Sequence, residues 1–206
     1  MNNTKNFSQI LLHRVLPIVL GIIVGYFIYS CFLMERLPYF STSKAEYFVS
    51  ILCLAGSIVG CTVIFELIIN RAISYFLFFL LCVLYFAMLL IVLFMRYPLP
   101  ERVFVFNPLT GLFDAFSSRQ MLIQSLLNLL VFIPIGFFVK KLPYLKLLLF
   151  SVCLSLLIEA IQIVFRIGFF DSFDILLYVI GIHLGYLIFQ KLKLPIQKRN
   201  MRSSPK

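Results

Sequence analysis

Six apolar runs, at residues 15–34, 49–69, 74–95, 122–139, 144–165 and 175–189, succeed one another along the 206-residue chain. A helix needs roughly 20 mostly apolar residues to cross a bilayer, and five of the runs approach or exceed that length. The stretches between them are too short for a separate soluble domain. Soluble chains are roughly 45–50% apolar. This one is 62% hydrophobic and 13% charged, with a mean hydropathy of +1.05, more apolar surface than one soluble core of this size can hide. The expected fold is an all-α, polytopic transmembrane bundle of about six spanning helices. Lys5 and Arg14 precede the first run as they would a signal peptide. That run is too long for such a segment, however, and no small-x-small cleavage site follows, so it reads as a retained first helix.

The +10 net charge sits between and beyond the apolar runs, with no basic groove interleaved with aromatics, so no nucleic-acid partner is expected. The N-terminus, second loop, fourth loop and C-terminus carry 12 of the 18 Lys and Arg, and the other loops carry 6. By the positive-inside rule both termini are expected in the cytoplasm. Glu35, Glu46, Glu101, Asp114, Asp171 and Asp174 all fall on the opposite side. Lys191, Lys193, Lys198, Arg199, Arg202 and Lys206 form a tail suited to anionic lipid headgroups. Three regions follow: spans without a motif over 1–95, a loop and three spans over 96–190, and a basic tail over 191–206.

Cys31, Cys53, Cys61, Cys82 and Cys153 lie inside apolar runs without a CxxC pair or a Cys/His cluster. Neither a disulfide framework nor a metal site is expected, and no cofactor is implied. Small residues four apart at Gly21/Gly25, Gly56/Gly60 and Gly181/Gly185 point to close helix packing within the bundle. The sixth run has only 15 strongly apolar residues, about 22 Å at ~1.5 Å per residue. The bilayer core is ~30 Å thick, so either the membrane thins there or Asp174 is drawn to its edge. The third loop, 96–120, is long for a compact bundle. Its Arg102-to-Pro108 stretch is apolar enough to lie on the membrane surface or re-enter it.

Polar side chains within spans are the candidate functional groups. Ser151, Ser155, Glu159, Gln162 and Arg166 are spaced 4, 4, 3 and 4 apart, one stripe of a helix, which must face protein or water rather than lipid. Gln124 and Asn128 share a face of the fourth span, where Pro134 and Gly136 predict a bend. Asp171 and Asp174 follow Arg166, and Tyr178 lies one turn beyond Asp174. The expected cluster is Gln124, Asn128, Glu159, Gln162, Arg166, Asp171 and Asp174. A purely structural reading stands beside it: Arg166 pairs with Asp171 or Asp174, while Asn128 and Gln162 act as interhelical glue. Glu66 is expected to pair with Arg71, and His183 reads as a packed histidine.

These residues also carry a resemblance. Asn128-Leu-Leu-Val-Phe-Ile-Pro-Ile-Gly136 resembles the N-x-x-x-F-x-P-x-G signature of VanZ-like membrane proteins. Ser155-Leu-Leu-Ile-Glu159-Ala-Ile-Gln162, with Arg166, Asp171, Asp174, Gly181 and Gly185, is similar to the family's second signature. Asn107-Pro108 resembles its upstream NP element. The resemblance covers about residues 96–189. It departs at Tyr178, where the family usually has Asn. It implies a multi-pass protein of the bacterial cell membrane, associated with resistance to teicoplanin-type glycopeptides.

Three functions follow, in order. The first is an envelope protein that binds or shields a lipid-linked surface component. The second is an intramembrane enzyme on a lipid or glycolipid, with Glu159 as acid or base, Arg166 as a phosphate clamp and Asp171 or Asp174 orienting a nucleophile or holding a cation. The third is a small transporter or flippase. No P-loop or HExxH motif supports a recognised enzyme class.

Overall fold

The computed structural model describes residues 9, 11–34, 46–94, 100–192 and 194–197. Most of the basic tail lies outside these residues, as do Lys5 and Glu35 in the charge count. Helices dominate. They are α1 (Leu16–Ile28), α2 (Glu46–Asn70), α3 (Tyr75–Phe94), α4 (Pro108–Ser117), α5 (Arg119–Leu130), α6 (Ile135–Val139), α7 (Tyr144–Phe165) and α8 (Ser172–Lys191). Single π-helical turns, Leu11–Val15 and Tyr29–Leu33, flank α1. Four two-residue strands complete the order: β1 (Ile73–Ser74), β2 (Phe104–Val105), β3 (Phe170–Asp171) and β4 (Ile196–Gln197).

Among the described residues, six helical stretches are long and apolar enough to cross a membrane: Leu11–Phe32, Tyr47–Asn70, Tyr75–Phe94, Arg119–Val139, Tyr144–Phe165 and Ser172–Lys191. The chain is a multi-pass membrane protein. Exposed Phe27, Ile68, Phe76 and Leu145 would be costly in water; in hydrocarbon they cost nothing, while every backbone polar group must be paired within its own helix.

The chain divides into two compact units, Met1–Met95 with Leu194–Lys206, and Arg96–Lys193. In the first, α1 packs closely along α2 because Gly21 and Gly25 present bare backbone. A Cβ at either would collide with Thr62 or with the Ile58 backbone. The Tyr29 hydroxyl bonds Ser50 Oγ, and His13 bonds Asn70 at 2.8 Å. β1 pairs in parallel with β4, Ile73 opposite Ile196. Nothing among the described residues lies within 4 Å of a Cβ built on Gly56 or Gly60. Among the described residues, the expected close packing is therefore not seen at this pair.

The second unit is organised around α8, against which α4, α5, α6 and α7 all pack. At 20 residues, or ~30 Å at the α-helical rise, α8 is long enough to cross unaided. The expected shortfall belongs to its apolar stretch, since the helix itself starts at Ser172 and carries Asp174 in its first turn. The bend expected at Pro134 is present. Pro134 has no N–H to continue the ladder, so α5 ends at Leu130 and bonds such as Phe132 N to Leu129 O (3.3 Å) tighten residues 131–134 before α6. The long third loop becomes β2, paired in parallel with β3, followed by α4.

Candidate functional site

The first signature is one face of α5 and α6, docked residue by residue on α8. Asn128 Nδ2 donates to Asp174 Oδ1 at 2.8 Å. One turn on, Phe132 stacks on Tyr178, ring centroids 4.3 Å apart. Gly136 then meets the Gly185 backbone, and Gly181 and Gly185 meet the carbonyls of Leu129 and Ile133 so closely that any Cβ would collide. Both segments run in the same direction.

That register explains Tyr178 and Gln124. Tyr178 fills a fully buried slot beside Phe132, so the ring that replaces the family's usual Asn is packed as core. Gln124, one turn before Asn128, extrapolates to residue 170, ahead of the start of α8. It is exposed, unlike Asn128, so it is not part of the buried contact with α8.

On α7 the stripe is buried as expected up to its end: Ser151, Ser155, Glu159 and Gln162 are all 1% exposed or less. Ser155 returns its hydroxyl proton to the Ser151 carbonyl at 2.8 Å, and Ser151 to Leu148 at 3.0 Å, so both serines are satisfied on their own helix. Glu159 Oε2 accepts the Asp171 backbone N–H at 3.1 Å, tying the helix to β3. Gln162 lies against Gly168, where a Cβ would crowd its Oε1.

Arg166 breaks from the stripe. It closes α7 in the left-handed region, φ 58°, with its N–H on the carbonyls of Gln162 and Ile163, a position where glycine or asparagine is usual. Its side chain is exposed and, among the described residues, forms no ion pair with Asp171. Asp171 caps α8 instead, accepting the Phe173 N–H at 2.8 Å. Burial pushes the Asp171 carboxyl above the usual aspartate range, the Phe173 N–H works against that, and the charge of Asp114 raises it further.

Asp114 is thus part of this end of the unit, although its place in the sequence marks it only for topology. Its signal is the Asn107-Pro108 element. Asn107 Oδ1 accepts the Leu109 N–H at 3.0 Å with Pro108 in the first turn, an N-cap that starts α4 and sets Asp114 two turns along it. The rim therefore holds Asp114 and Asp171 above the Asn128–Asp174 pair in the first turn of α8, while Arg166 stands exposed at the end of α7. Among the described residues no three His, Cys, Asp or Glu side chains come together as a metal ion would require.

Glu66 clarifies which of these contacts are scaffolding. Its Oε2 accepts the Ser74 backbone N–H of β1 at 2.8 Å, and Arg71 closes α2 with φ 50°. Each unit therefore contains the same local device: a buried glutamate, a left-handed arginine, a two-residue strand whose N–H the glutamate holds, and a 20-residue helix. The glutamate–strand bond reads as a fold element in both. What is peculiar to the second unit is the Asn128–Asp174 pair and the acidic rim.

His183 packs as expected, its Nδ1 2.8 Å from the Val179 carbonyl and its ring edge-on to Tyr144.

A family model described as VanZ/LLP1 matches residues 76–193, over half of the chain, and begins within α3. The recognisable region thus extends one helix further back than the motifs. No curated protein and no solved structure matches the chain.

Proposed function

The chain belongs to the VanZ/LLP1 family, and on that premise we propose that it is a cell-envelope membrane protein that binds a lipid-linked surface component and so lowers the access of teicoplanin-type glycopeptides. The observation that carries this reading is the polar end of the second unit. There a part-buried Asn128–Asp174 bond sits under a rim holding Asp114 and Asp171, with a solvent-exposed arginine at the end of α7. Carboxylates and an exposed guanidinium at one end of the unit suit a zwitterionic or phosphorylated headgroup: the guanidinium takes phosphate oxygens, the carboxylates take amines and hydroxyls. The distribution of Lys and Arg favours cytoplasmic termini and a rim at the outer face, where such a component would be met.

Two observations favour binding over acid–base catalysis. Glu159 is wholly buried and holds a backbone N–H, and Glu66 repeats that arrangement outside the matched region. The test is complementation of a deletion strain. The native chain should raise teicoplanin resistance several-fold, and Arg166→Ala at equal membrane levels should lose the gain. A deletion that leaves susceptibility unchanged in a strain where the protein is expressed rejects the proposal.

A further inference from the structure

Helix α4 does not cross the membrane, and its surface divides into three. At ~100° per residue, Gly111 and Ala115 fall in one arc, Leu109, Leu112, Phe113 and Phe116 in a second, and Thr110, Asp114 and Ser117 in a third. The first arc is buried: Gly111 lies against the Phe173 side chain of α8 so closely that a Cβ would collide. The second is exposed, with Phe113 72% and Phe116 71% accessible. The third is polar and exposed.

A helix in water has no use for the second arc, and one buried in hydrocarbon has no use for the third. Only a boundary between the two suits both. The flanks fix the level of that boundary. α4 is followed by Ser118, which caps the spanning helix α5 through the Met121 N–H, and α8 begins beside it at Ser172, so α4 lies where two spans start. The apolar arc is also continuous with the lipid-facing surface of those spans. Phe106 packs on Phe104 and Phe170, and Met121 on α5 is exposed in turn.

We infer that α4 is an interfacial helix whose Phe106–Leu109–Phe113–Phe116 face is seated in the acyl chains of one leaflet, holding Asp114 at headgroup level beside Asp171. The occupant of this face is lipid, rather than a second copy of the chain. The inference does not depend on the proposed ligand, because it concerns where the rim is held and not what the rim binds.

The chain contains no tryptophan, so Phe113→Trp and Phe116→Trp each create a single reporter with little change of shape. In phosphatidylcholine–phosphatidylglycerol vesicles, a face seated ~5–10 Å into the boundary should lose about half or more of its emission to lipids brominated near the glycerol. It should lose much less to lipids brominated near the chain end, and acrylamide should have little effect. Ser117→Trp should show the reverse, with strong acrylamide quenching. If the Phe113 and Phe116 reporters are quenched mainly by acrylamide, α4 lies in water and the inference fails. If both quenchers miss them, protein covers the face, and stronger quenching by the deep bromines makes α4 re-entrant. Either result overturns it too. Two reporters guard against one variant that fails to fold.

Discussion

Asn128→Leu tests whether the amide or merely the bulk of residue 128 joins α5 to α8. The substitution keeps the number and branching of side-chain heavy atoms and removes the donor that lies 2.8 Å from Asp174 Oδ1. Asn128 is 6% exposed, so water cannot replace it without opening the interface. Hydrogen bonds to a charged group are worth about 1.5–3 kcal/mol. Measured side-chain bonds between membrane helices average only about 0.6 and reach about 1.7 kcal/mol, because partners remain available in the unfolded, membrane-embedded chain. The expected loss is about 1–2 kcal/mol. A double-mutant cycle with Asp174→Ala should give a coupling of about 1 kcal/mol. The assay is reversible unfolding by sodium dodecyl sulfate in mixed micelles, for the native chain, both single variants and the double variant. Gln124→Leu, one turn away and exposed, is the control and should stay within about 0.5 kcal/mol. Additivity within about 0.3 kcal/mol, or an equal loss from Gln124→Leu, would refute the reasoning.

Gly185→Ala drives a methyl into the Ile133 carbonyl and the Gly136 backbone and should cost about 1–3 kcal/mol by overpacking. Gly60→Ala, in open space, should cost nothing or stabilise α2 by up to about 1 kcal/mol; the same unfolding assay compares them, and equal effects would contradict the packing described. Because burial and Asp114 hold the Asp171 carboxyl above its unfolded value, the ionised form is the costly one in the folded chain. Stability should therefore fall as pH rises from about 4 through the folded pKa. Asp171→Asn should flatten that dependence in thermal melts while keeping the cap on α8, and Asp114→Asn should lessen it. Asp171→Ala should lose the cap as well, at about 0.5–2 kcal/mol.

The spans are legible in the sequence because the bilayer imposes length and apolarity directly on each segment. The stripe of α7 is legible because a 3.6-residue period places Ser151, Ser155, Glu159 and Gln162 on one side. Register between helices has no such local signature. Gln124 shares a face with Asn128, yet only the folded chain shows that Asn128 is buried against α8 while Gln124 is exposed. The bond that Glu66 makes to β1 is not legible either: it rests on a left-handed arginine and a strand N–H, both tertiary in origin. Asp114 is hidden in the sequence because its relevance rests on α4 folding back on α8, which the Asn107-Pro108 cap starts but does not aim.

Binding of a lipid-linked headgroup by the rim of the second unit is probed most directly by Arg166→Gly. Glycine relieves the left-handed backbone at φ 58°, a gain of up to about 1–2 kcal/mol, while removing the guanidinium. Native mass spectrometry of the purified protein with a long-chain polyprenyl phosphate, phosphatidylglycerol as competitor, gives the readout. One polyprenyl phosphate should be retained on the native chain and lost from an equally or more stable Arg166→Gly. Equal retention by the two proteins, or ready displacement from the native chain by phosphatidylglycerol, would contradict a headgroup site at the rim.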